Sequence, residues 1–187
     1  MFFKRKDNFN TQLYQLEMTN LVDEAIAKIN TEEPEFLIFT VSIWTEANAA
    51  ISSVCIDSEM NSKIKVEKGN EWNKEYYERF IQEGDLEQAE LFKPVETRNY
   101  NPADFELRDY VEMPNKSFQI NWDETSRGKC WKLLEPELIK IGREAFDKFR
   151  KCKIHDNFEL SVNGRNDWCE FTWNDSKLTD DIATLRK

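Results

Sequence analysis

The sequence predicts an α+β domain: a mainly antiparallel sheet built from hairpins, with helices packed against it. Three observations predict this class. Segments with a period of two and segments with a helical period fall in separate blocks rather than alternating strictly. Two pairs of alternating runs are joined by loops too short for a crossover connection. Thirteen Phe, six Trp and five Tyr in 187 residues supply a core, and no linker, repeat or low-complexity tract divides the chain. One globular domain over residues 1–187 is therefore expected, with 1–9 and 175–187 at its periphery.

The elements follow in order. From about Asn10 to Asn30, Leu13, Leu16, Leu21, Val22, Ala25, Ile26 and Ile29 recur at three- and four-residue steps, which predicts an amphipathic helix. Pro34 ends it, because the residue before a proline avoids the α region. Leu37, Phe39, Val41 and Ile43 alternate with Ile38, Thr40, Ser42 and Trp44, a strand rich in β-branched and aromatic residues. Apolar residues on both of its faces predict a central, covered strand. A turn near Glu46–Asn48 leads to a second strand, Ala50–Ile56, and the short connection predicts an antiparallel hairpin.

Between Asp57 and Phe92 the period becomes helical, with a stripe of Trp72, Tyr76, Tyr77, Phe80 and Ile81. Gly84-Asp85 interrupts it, and Leu86–Phe92 reads as a further short helix. Asn99–Pro102 is a turn cluster. Phe105, Leu107 and Val111 suggest a third strand, and Phe118, Ile120 and Trp122 alternate as a short fourth run. Pro136 suits the first turn of a helix, where its missing N–H costs nothing. That helix continues through Phe149, with Lys148, Arg150 and Lys151 placed to complement its dipole. The chain closes with Phe158–Val162, the turn signal Asn163-Gly164, a run from Trp168 to Trp173, and a short helix that Thr179 can cap.

Thirty-six acids against 26 bases give a formal charge of −10. Nucleic-acid binding depends on Lys and Arg neutralising phosphates, and an anionic membrane selects for the same charges, so both partners are disfavoured. No run approaches the 18 apolar residues of a membrane helix. Met1-Phe2-Phe3-Lys4-Arg5-Lys6 is followed by no apolar stretch of signal-peptide length. Cys55, Cys130, Cys152 and Cys169 form no CxxC pair and sit in apolar or amphipathic runs. They are expected as reduced structural thiols, which points to a cytoplasmic location.

The chain carries little recognisable catalytic or metal-binding chemistry. The single histidine, His155, adjoins Asp156, but sequence neighbours point in different directions, and it is expected in a loop before a strand. One histidine and four scattered cysteines do not make a nitrogen–sulfur metal site. Asp104-Phe105-Glu106 and Asp123-Glu124 lack the spacing of a calcium loop. The five glycines are isolated, and no phosphate-cradling motif occurs. No catalytic residue, metal or cofactor is assigned.

Charge distribution says more. Residues 83–112 hold nine acids and three bases, whereas residues 127–153 hold nine bases and four acids. These could be two faces that pair within the fold, or an acidic surface for a basic partner. On the second reading the contact residues are Asp85, Glu87, Glu90, Asp104, Glu106 and Asp109, with Tyr100 and Tyr110 as aromatic anchors.

In its overall plan the chain resembles the small acidic immunity proteins of bacterial toxin–immunity systems. The features that carry the resemblance are the helix–hairpin opening from Leu13 to Ile56, the acid-rich middle around Asn101-Pro102-Ala103-Asp104-Phe105, and the closing hairpin from Phe158 to Trp173. The resemblance implies a non-enzymatic inhibitor that covers the active site of a secreted toxin, a nuclease being the basic partner it suits. It carries over no individual binding residue. Two other readings stand beside it: a general protein-interaction domain, and an enzyme or small-ligand binder whose site is scattered through the chain.

Overall fold

The computed structural model describes residues 9–95 and 98–175. Helix α1 (Thr11–Glu32) is capped by Asn10, whose side chain accepts from the Leu13 N–H. Strands β1 (Ile38–Glu46) and β2 (Ile51–Asp57) form the expected antiparallel hairpin. Helix α2 (Glu59–Glu83) ends at Gly84, whose φ of 74° is the left-handed conformation that lets the chain reverse into α3 (Leu86–Leu91). A single 3₁₀ turn at Pro102–Asp104 precedes β3 (Leu107–Pro114). Then come α4 (Trp122–Ser126), α5 (Trp131–Phe149), β4 (Ile154–Val162) and β5 (Phe171–Trp173).

The five strands form one sheet in the order β3-β2-β1-β4-β5, so β1 is central and buried, as expected, although its second face carries the polar Thr40 and Ser42. The fold is α+β and three of the four pairings are antiparallel, but β1 and β4 run parallel, so the sheet is mixed. The two hairpins are where they were expected. It is their junction that is parallel, because β4 enters from the end of α5 and must run back along β1.

Other differences have local causes. Phe118 and Ile120 are not in a strand. Asn121 takes a left-handed φ of 59°, and the chain folds so that Phe118 and Trp122 both turn inward onto Phe9 and Tyr14. Phe9, expected at the periphery, therefore belongs to this aromatic cluster. Helix α5 starts five residues before Pro136, drawn out by burial of Trp131 and Leu134. Proline at that position leaves the Lys132 carbonyl without an intrahelical donor. Phe105 lies just before β3 rather than in it, and β5 begins at Phe171, leaving Trp168 in the preceding loop. His155 is the second residue of β4, not a loop residue. Of the bases expected at the end of α5, Lys148 lies in its last turn and Arg150 caps it. The helix expected after Thr179 lies outside the described residues.

The core lies between the sheet and helices α1 and α5. Val41, Ile43, Val54, Ile56, Val111, Leu160 and Val162 point at Met18, Leu21, Leu134, Leu138 and Phe146. Strand β5 is seated against α5 by a close approach. A Cβ added to Gly142 would collide with the Trp173 ring, so only glycine fits there.

Candidate functional site

The opposite face of the same sheet is buried but polar. Registered residues share a face, so Thr40 in β1 lies between Asp57 of β2 and Glu159 of β4. One step along, Ser42 lies between Cys55 and Ser161. The chain from Arg98 to Phe105 and the loop before β5 cover this face. Arg98 anchors the cover. Its guanidinium donates to the Phe39 carbonyl at 2.7 Å, to the Asn157 carbonyl at 2.5 Å and to the Thr40 hydroxyl, while the Phe39 ring lies 3.7 Å beneath it. Its Nε is 3.8 Å from Glu159 Oε1.

This is a cluster of buried charge, and burial shifts its members. Desolvation lowers the Arg98 guanidinium, against the pull of Glu159, Tyr100 and Asp57. Burial and then Glu159 push the Tyr100 phenol up to about 12. Burial pushes the Asp57 carboxyl above the usual carboxylate range, against hydrogen bonds from Asn61 and the Glu106 and Ser58 amides. Asp57 Oδ2 and Ser42 Oγ are buried without a hydrogen-bond partner among the described residues. Desolvation also raises all four free thiols, Cys130 and Cys169 to about 11, so they stay protonated near neutrality. No group of three or more His, Cys, Asp or Glu among the described residues is placed to hold a metal.

The eight residues expected to meet a partner separate into two groups. Asp104 is tied to Asn101 and Lys65, Glu106 to Ser58, and Asp109 to Ser53 and Arg108. Asp109 also holds an unusual left-handed φ of 47°. Tyr110 packs on the core with the Lys28 ammonium 4.2 Å from its ring centre, and Tyr100 is part of the cover and lines the adjoining cleft. All but Tyr110, which faces α1, build the polar side of the sheet.

The other three acids stand apart. Asp85 caps α3, and Glu87 and Glu90 project from it, Glu90 toward Lys93 at 3.1 Å. Helix α3 folds back along α2 through stacking of Phe92 on Tyr76 and Phe80, and through two hydrogen bonds between Asn70 and Val95. Together they form an arm. Over its 25 residues α2 buries only Ser62, and Trp72, Leu86 and Leu91 are each about 70% exposed. The expected apolar stripe is real, but most of it covers α3 or faces outward.

Among the described residues the acidic and basic segments form no ion pair with each other. The basic segment pairs with Asp23, Glu35 and Asp175. Glu96 lies outside the described residues.

Sequence reasoning missed Arg98 and Trp168. Arg98 is one of three bases in an acid-rich stretch, and nothing in the local spacing sets it apart from the exposed Lys93 and Arg108. Trp168 is edge-on to Trp44 at 5.8 Å and borders three adjoining clefts, of about 430, 250 and 270 Å³. Compared with known proteins, the chain matches no family model, no curated protein and no solved structure.

Proposed function

We propose that the chain is a non-enzymatic binding protein that docks a basic protein partner through the α2–α3 arm. One observation carries this reading. The six-residue α3 exposes Leu86 and Leu91 beside Asp85, Glu87 and Glu90, with Lys93 as the neighbouring cation. Apolar side chains ringed by one sign of charge suit a partner of the opposite sign, since burial supplies affinity and charge supplies steering. Occlusion of a secreted nuclease toxin, the role of immunity proteins, is the specific form of this proposal. It places the contact on the arm rather than on Asp104, Glu106 and Asp109, whose carboxylates already serve the fold.

Affinity capture from the native host tests it, with wild-type bait and a D85N/E87Q/E90Q bait. Asn at position 85 preserves the cap, so α3 survives. The expected result is a basic protein held by the wild type and lost from the variant. Once purified, that protein should associate more slowly as salt rises. Equal recovery on both baits would remove the arm from the proposal.

A further inference from the structure

We infer that the cleft between α2, the Arg98 segment and Trp168 binds a neutral polyhydroxylated ligand, a sugar ring in its simplest form. Its volume of about 430 Å³ lies within the range of small-molecule sites. The cleft uses residues 65–73 of α2, but the inference does not rest on a protein partner docking at α3.

The cleft has a feature that folding does not require. Gly69 sits inside the 25-residue α2 and lines the cleft, yet a Cβ added there would meet nothing within 4 Å. Glycine is a poor helix former, and no close neighbour demands it. What its missing side chain provides is space above the helix backbone. Across this space two of the lining amides are held in place. Asn70 is held by both of its hydrogen bonds to Val95, and Asn101 by bonds to Ala103 and Asp104.

The chemistry of the lining selects the ligand. Its cations are matched: Lys65 lies 3.5 Å from Asp104, and Arg98 is committed to Glu159 and three oxygen acceptors. A phosphate would find no unmatched cation, and an ammonium ligand no unmatched acid beyond Asp167. Asn73 lines the cleft and makes no side-chain hydrogen bond among the described residues, so it can both donate and accept. Trp168, a residue 48% exposed, lines the cleft with its indole edge-on to Trp44. A ligand with hydroxyls around its edge and an apolar C–H face meets both demands, the face against the indole and the hydroxyls against amide and carboxylate.

Saturation-transfer NMR with methyl glycosides of glucose, galactose, mannose and N-acetylglucosamine, and with their short oligomers, tests the inference. Adenosine and uridine serve as the comparison arm. Wild-type protein should bind at least one glycoside saturably. Gly69→Leu, which fills the cleft with a better helix former, should weaken binding about tenfold or more at an unchanged or higher Tm. Trp168→Ala should weaken it similarly. Failure of every glycoside to bind overturns the inference, as does binding that survives both substitutions. Binding of the nucleosides alone overturns the ligand class.

Discussion

Helices α1 and α2 have similar lengths, 22 and 25 residues, and both carry apolar residues at helical spacing, yet they do different things. Helix α1 buries seven residues, from Tyr14 to Ile29, between the sheet and α5. Helix α2 buries one, and its rings stack on a small helix that itself leaves two leucines exposed. Periodicity reports that a helix has an apolar face, not what covers it. In α1 the cover is the sheet. In α2 it is only partly present, and the uncovered remainder is the reason for assigning the arm a partner.

The contrast makes sharp predictions. Phe146→Ala, in the body, removes a ring that is fully buried and stacked at 5.5 Å on Phe158, and should cost about 3–5 kcal/mol in denaturant titration. The matching change in the arm, Trp72→Ala, should cost within about 0.5 kcal/mol. A large loss at Trp72 would mean that the arm is an integral part of the core, and the comparison would fail.

Arg98→Ala tests the polar side of the sheet. It leaves Glu159 and Asp57 buried without their cation, and breaking a buried pair in this way costs about 3 kcal/mol or more. A loss below about 1 kcal/mol would show that the cover of residues 98–105 is not held by this residue.

Asp57→Asn should act in the opposite direction and more weakly. The folded pKa of Asp57 is raised, so the folded state holds its proton more tightly than the unfolded chain does. Its contribution is therefore favourable below the ordinary carboxylate range and is lost as pH rises through the raised value. Asparagine keeps the oxygen that accepts from Asn61 and the Glu106 amide, and introduces no charge. The variant should match the wild type in acid and gain about 1 kcal/mol at neutral pH. A destabilised variant at neutral pH would mean that ionised Asp57 is needed by Arg98.

Much of this fold is legible in the sequence. The β1–β2 hairpin, α1 and the break at Gly84-Asp85 all follow from spacing and turn chemistry, because each is decided by residues near one another in the chain. The elements that were misread are decided at a distance. Phe118 and Trp122 alternate like a strand but are drawn into one cluster by Phe9 and Tyr14. Helix α5 overrides Pro136 because the core needs Leu134. The polar sheet face did leave a trace, since Thr40 and Ser42 alternate with Val41 and Ile43, as Ser53, Cys55 and Asp57 do with Val54 and Ile56. Ordinarily such a face meets solvent. Its burial depends on Arg98, more than 50 residues from β1, which no local pattern reveals. The acids of residues 83–112 read as one surface for the same reason. Their spacing does not show that Asp104, Glu106 and Asp109 are bonded into the fold while Asp85, Glu87 and Glu90 project from the arm.

Hydrogen–deuterium exchange with and without the purified partner tests the central claim most directly, because it maps contact without altering the protein. The arm should exchange rapidly in the free protein, where its backbone has little tertiary cover. On binding, protection should concentrate between Trp72 and Lys93, with α1 and α5 unchanged. Protection confined to the body of the domain, with the arm exchanging as before, would contradict the assignment of the arm as the docking element.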